Sequence, residues 1–299
     1  MSTASLSVRR WWKDPWRKPR FLLALTWGYL AWSLVPVLIA VAFSFNAGRS
    51  RSAWQGFSLR WWVGDPTAAE SLLYRPELRA SVVHSVWLAL ATMLIAVPLG
   101  TLFAIGIDRW HGRGPGIANF TMLLSFVLPE IILGVSLFLA FIYLLRDVVS
   151  LGTTAQILGL VTYQISYPVI VVRARLLSIG KDYEEAAMDL GAPPTQSVRR
   201  VLLPLLYPAI FASAALVFAD TIDDFVTVRY LCAAASCEPI SVKVYDAARA
   251  APPPSVNAAV TFMLVATLLA ISVGFVAYRR ITRVQHAGPA GREFIGFQV

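Results

Sequence analysis

Glu185-Ala186-Ala187-Met188-Asp189-Leu190-Gly191, followed nine residues later by Val201-Leu202-Leu203-Pro204, is a short polar island between long apolar segments. Asp182 is placed to cap a helix over 183–190. Glu184 and Glu185 fall in its first turn, where the helix dipole favours negative charge. Gly191 supplies the left-handed residue that ends such a helix. Pro193-Pro194 enforces the break, and Thr195 or Ser197 can start a second helix that leads into Pro204. The island therefore reads as a helix-turn-helix lying under a membrane. Ala186 and Ala187 give it a small-residue face that another backbone can approach closely.

The segments on either side decide the class. Hydrophobic residues make up 57% of the 299-residue chain and charged residues only 14%, against about 25% charged in an ordinary soluble domain. Such a chain is all-α and embedded in lipid. Six stretches are long and apolar enough to span: 21–45, 81–107, 117–145, 151–172, 204–219 with its continuation, and 256–278. The third carries one internal charge, Glu130. The fifth is interrupted by Asp220, Asp223 and Asp224.

The net charge of +9 does not point to nucleic acid, because the basic residues flank the apolar stretches and set topology. With the N-terminus inside, seventeen of the 26 basic residues fall on the cytoplasmic side. Both termini are then expected in the cytoplasm. Residues 1–20 form a basic N-terminal segment, 21–280 a six-helix domain whose inner loop is 180–203, and 281–299 a tail. The first apolar stretch is longer than a signal-peptide core and reads as a retained helix.

This arrangement puts 46–79 and 227–254 outside. Trp54, Trp61 and Trp62 in the first loop suit a bilayer interface. Cys232 and Cys237 share the second, where a bridge and two free thiols are both open readings. His84, His111 and His286 are too scattered for a metal site, and there is no G-x-x-x-x-G-K-[ST] phosphate loop. His84 reads as a packing residue or as part of a path.

Carboxyl groups inside spanning segments are costly and usually mark a function. Glu130 follows Pro129 in mid-helix. Asp220, Asp223 and Asp224 share one face if their helix continues through them. Together they would line an acidic pathway for a cation. The competing readings are a Glu130 carboxyl bonded to a backbone group freed by Pro129, and an Asp cluster that is a solvated helix end, part-neutralised by Arg229.

The island resembles the EAA signature of the permease subunits of binding-protein-dependent ABC importers, with Val201 where that family most often has Ile. The resemblance implies the type I importer permease fold, with the island as the helix that docks on a separate ATPase. It assigns coupling to Glu184, Glu185, Ala186, Ala187, Asp189, Gly191 and Pro204. It implies no catalysis and no cofactor in this chain, with ATP and Mg bound by the ATPase. Implied partners are a homologous permease, two ATPase subunits and an external substrate-binding protein, in a bacterial plasma membrane.

Further strings sharpen the resemblance. Trp54-Gln55-Gly56-Phe57-Ser58-Leu59-Arg60-Trp61, Leu128-Pro129-Glu130-Ile131, Asp223-Asp224-Phe225-Val226, Val242-Lys243-Val244-Tyr245 and Val256-Asn257-Ala258 look like the C-type permease of spermidine/putrescine importers. That branch implies a polyamine substrate met by Trp61, Glu130, Asp223 and Asp224. It usually carries Asp at the position of Glu130, and the stretch 232–239 lies outside its pattern. Permeases for ferric iron, thiamine or a phosphonate, and a self-sufficient secondary transporter, are the alternatives.

Overall fold

The computed structural model describes residues 20–50, 53–64, 71–109, 114–250 and 254–286. The basic residues at 9–18, His111, Arg113 and the tail beyond 286 lie outside these. Among the described residues the chain is helical with one isolated bridge, Asn46 to Phe57. The helices are α1 (Arg20–Phe43), α2 (Pro76–Arg109), α3 (Gly114–Val127), α4 (Glu130–Tyr143), α5 (Thr153–Gln164) and α6 (Ser166–Ile179). Then follow α7 (Asp182–Asp189), α8 (Pro194–Ser197), α9 (Leu203–Asp223), α10 (Val226–Tyr230), α11 (Ile240–Ala250) and α12 (Pro254–His286).

Among the described residues, five helical segments are long and apolar enough to cross a membrane: α1, α2, α5 with α6, α8 through α9, and α12. The sixth expected span is not one helix. It breaks between α3 and α4, which meet at a bend of 108°. Pro129 is the cause: it takes extended backbone (φ −58°, ψ 133°), lacks an N–H, and disfavours helix at Leu128 before it. Glu130 is therefore the first residue of α4, at the positive end of a helix dipole, and not a mid-helix charge.

A milder irregularity lies at Ile165 between α5 and α6. Pro168 cannot donate to the Gln164 carbonyl one turn earlier, and the ladder is interrupted there. α2 passes close to this point. A Cβ on Gly100 would fall 2.4 Å from Pro168 Cγ and 2.8 Å from the Ile165 carbonyl oxygen. Only glycine permits that approach.

α2, 34 residues and about 50 Å long, is the spine of the bundle. At one end Ala104 packs with Val169, Val172 and Leu176 of α6, Leu202 just before α9, and Leu206 and Ala209 at its start. At the other, Leu78 and Val82 pack with Ile240, Ala259 and Met263. Between them Leu88 meets Leu160, Tyr163, Val228 and Val242. α1 leans on α12, and no residue of 21–39 is buried. Its apolar surface is suited to lipid or a second subunit.

Candidate functional site

The polar island folds as a helix-turn-helix with a different start. Lys181 occupies the N-cap position with helical backbone and no side-chain cap bond, so Asp182 is the first helical residue and not the cap. The end is as expected: Gly191 takes φ +86°. The Gly191 N–H bonds the Met188 carbonyl at 2.8 Å and the Ala192 N–H bonds the Ala187 carbonyl at 3.1 Å. These two bonds form a Schellman closure. Pro193 then precedes α8, with Pro194 in its first turn, and a π turn over Val198–Leu202 joins α8 to α9 at Pro204.

The two adjacent glutamates lie in different surroundings. Glu184 is buried, and its carboxylate pairs with the Arg109 guanidinium at the end of α2. Glu185 and Ala186 are exposed, Ala187 is half-buried, and Asp189 is exposed. Leu190 is 90% exposed at the tip of the turn. Ala187, Leu190, Gly191, Ala192, Gln196 and Arg200 line a shallow hollow of about 310 Å³ between α7 and α8. Small, apolar and concave, this surface suits a protein partner.

At the other end of α9 the three aspartates part company. α9 ends at Asp223, so Asp224 lies past the helix (φ −55°, ψ 123°) and does not share a face with the other two. Asp224 is buried and accepts from the Tyr163 hydroxyl and, at 3.1 Å, from the Val228 N–H. Asp220 accepts from Gln164 Nε2 at 2.6 Å and from the Tyr167 hydroxyl at 3.1 Å. Asp223 is exposed and, among the described residues, has no hydrogen-bond or ion-pair partner. It borders a hollow of about 510 Å³ with Phe225, Ser241 and Tyr245, whose two rings stack at 3.9 Å between centroids.

Glu130 is likewise exposed and without a partner among the described residues. One turn further along α4, Gly134 abuts Val226 and Tyr230 of α10, so the helix that Glu130 begins packs on the short helix that starts three residues after Asp223. Arg229 does not neutralise the aspartates. It pairs with Glu238 at 3.2 Å and Asp246 at 3.4 Å.

Trp61 is not on an open surface. It is 2% exposed, its indole N–H donates to the Asn46 carbonyl at 2.6 Å, and the Arg60 guanidinium lies 4.9 Å from its ring centre. Trp62 stacks on Phe45, while Trp54 meets Phe43 edge-on and is exposed. Cys232 and Cys237 are bridged.

Sequence reading missed Arg109, Gln156, Tyr163 and Gln164. Gln156 is fully buried. Its Nε2 donates to the Val228 and Cys237 carbonyls, both at 2.9 Å, and its Oε1 lies 3.0 Å from His84 Nε2. His84 is thus a packing residue joined to α5. Gln156 and Gln164, two uncharged polar residues eight apart in an otherwise apolar span, were the available signal.

The model of the binding-protein-dependent transport system inner membrane component family matches residues 96–284. The chain belongs to this family. The putrescine transport system permease protein PotI of Escherichia coli (strain K12) is 30% identical over 91% of this chain and 93% of its own. The spermidine/putrescine transport system permease protein PotC of Haemophilus influenzae is 30% identical over 80% of this chain and 88% of its own. A bacterial ABC transporter that imports the acidic polysaccharide alginate superposes with a TM-score of 0.69 at 19% identity, covering 91% of this chain and 99% of that one. The MetNI methionine ABC transporter superposes at 0.54 and 19% identity, over 74% and 99%. As a member of this family the chain is a multi-pass inner-membrane permease with the type I importer permease fold.

Proposed function

We propose that this permease carries polyamines of the putrescine and spermidine class inward, past Glu130 and Asp223. The observation that carries the reading is the contrast among the membrane-level carboxylates. Asp220 and Asp224 are bonded into the framework, whereas Glu130 and Asp223 are exposed and, among the described residues, unpartnered. An unpaired carboxylate at that depth is costly unless water or a cation meets it. Two of them at separate points suit a flexible chain bearing ammonium groups. The names of the relatives, putrescine and spermidine/putrescine permeases, agree with this.

Trp61 and Asp224 enter this reading as framework: Trp61 shapes the outer loop, and Asp224 fixes the chain direction beside Asp223. α7 docks on the ATPase through Glu185, Ala186, Ala187, Asp189, Leu190 and Gly191. Pro204 directs α9 away from the dock. The complex comprises this chain, a homologous permease, two ATPase subunits that hold ATP and Mg, and an external binding protein. Both termini lie in the cytoplasm. Reconstituted in proteoliposomes, the complex should hydrolyse ATP faster with spermidine- or putrescine-loaded binding protein. Stimulation by a sugar or an anion with none by either amine would refute the substrate reading.

A further inference from the structure

The adjoining glutamates of α7 divide the work of coupling. Glu185 faces outward, where a partner docks, and Glu184 faces inward to Arg109. Arg109 is the last residue of α2 and is also bonded to Asp108 at 2.6 Å. The Ser197 hydroxyl, buried in α8, donates to the Glu184 backbone carbonyl at 3.3 Å. Glu184 is thus gripped by α2 through its carboxylate and by α8 through its backbone. A charge pair with side chains only 26% and 11% exposed is screened far less than a surface pair.

What lies at the far end of α2 gives this contact its meaning. His84 meets Gln156, and Gln156 holds the Val228 carbonyl, four residues beyond Asp224. Ser85 Oγ accepts the Ile240 N–H at 2.8 Å, at the start of α11, which carries Tyr245. Gly100 seats α2 directly on Pro168 along the way. α2 is one helix from Arg109 to these outer contacts, and although Pro98 removes one ladder bond within it, both of its halves are packed into the core, so it transmits displacement as a body.

We infer that the Arg109–Glu184 pair is the positioning contact through which movement of α7 is passed to α2, and by α2 to the segment that carries Asp223 and Tyr245. The inference rests on the importer reading above. Without the pair, α7 still joins α8 and α9 through the π turn and α2 still packs on α6 and α9, so an ATPase can dock and turn over, but the direct tie between α7 and α2 is gone. Arg109 and Glu184 touch no substrate. They set the ratio of ATP hydrolysed to substrate moved.

The experiment uses the full complex in proteoliposomes with R109Q, E184Q, the double variant and R109K. Each is scored for assembly, ATPase rate, amine uptake, and the distance between spin labels on α7 and at the outer end of α2 with and without ATP and vanadate. Each Gln variant should assemble and hydrolyse ATP within about twofold of wild type, lower uptake per ATP at least tenfold, and lose the ATP-dependent distance change. The double variant should be no worse than either single, and R109K should recover most of the coupling. If uptake, hydrolysis and assembly fall in parallel, or the distance change persists in R109Q, the link is overturned while the importer reading stands. A wild-type complex with no ATP-dependent change would overturn the importer reading and the link with it.

Discussion

Tyr163 donates its hydroxyl to Asp224, the first residue beyond the last turn of α9, while the neighbouring Asp223 has no partner among the described residues. Both Asp224 oxygens are used, since the Val228 N–H bonds the other. Adjacent aspartates should therefore fail in different ways. D224A leaves a buried hydroxyl and a buried N–H unsatisfied, at about 1–3 kcal/mol each, and should lower the thermal midpoint and the amount of assembled complex. D223N should leave the midpoint unchanged and depress uptake. Thermal unfolding in detergent beside uptake in proteoliposomes separates the two, and a stability loss in D223N would contradict the assignment.

Glu130 tests the path itself. It begins α4 and reaches no protein partner among the described residues, so E130Q costs the fold little. A charge-assisted bond to an ammonium group contributes about 1.5–3 kcal/mol. The KM for spermidine uptake should accordingly rise about 10- to 100-fold in E130Q and much less in E130D. An unchanged KM would remove Glu130 from the path.

The polar island was legible because its structure is local. The positive φ of Gly191, the Pro193-Pro194 break and the small-residue face all follow from residues within one or two turns. The aspartates were not, because i,i+3 spacing presumes a helix that continues, and α9 stops at Asp223 so that Asp224 can turn inward to Tyr163. Pro129 sat inside a stretch that reads as one continuous span, and nothing local sets a bend of 108° there. Trp61 looked interfacial, and only the fold of the outer loop's described residues shows its N–H taken by the Asn46 carbonyl. Arg109 looked like a topology charge because its partner Glu184 lies 75 residues away.

Gly191 should be the sensitive point of the docking surface. No atom lies within 4 Å of an added Cβ, so the cost of G191A is conformational alone. Holding a non-glycine residue left-handed costs about 1–2 kcal/mol. G191A should insert normally and weaken ATPase association roughly 5- to 30-fold in a pull-down titration, with G191N milder because Asn tolerates that conformation.

Gly100 behaves oppositely, because its constraint is steric. A Cβ there collides with Pro168 and the Ile165 carbonyl, neither of which can rotate away. G100A should destabilise the α2–α6 contact by about 1–3 kcal/mol. The loss would appear as a lower thermal midpoint, with α7 docking intact.

The Cys232–Cys237 bridge reports orientation as well as stability. The Cys237 carbonyl is one of the two acceptors of Gln156 Nε2, so the bridged loop is tied to α5 and through it to His84 of α2. Removing the bridge with C232S and C237S releases a loop closure of roughly 2 kcal/mol and should loosen that tie, seen as faster amide exchange in 228–240. If this loop lies outside, a membrane-impermeant maleimide will label intact cells only after an impermeant reductant has opened the bridge. Labelling without reductant would deny the bridge, and labelling only after lysis would invert the topology, placing Glu185 and Gly191 where no cytoplasmic ATPase can reach them.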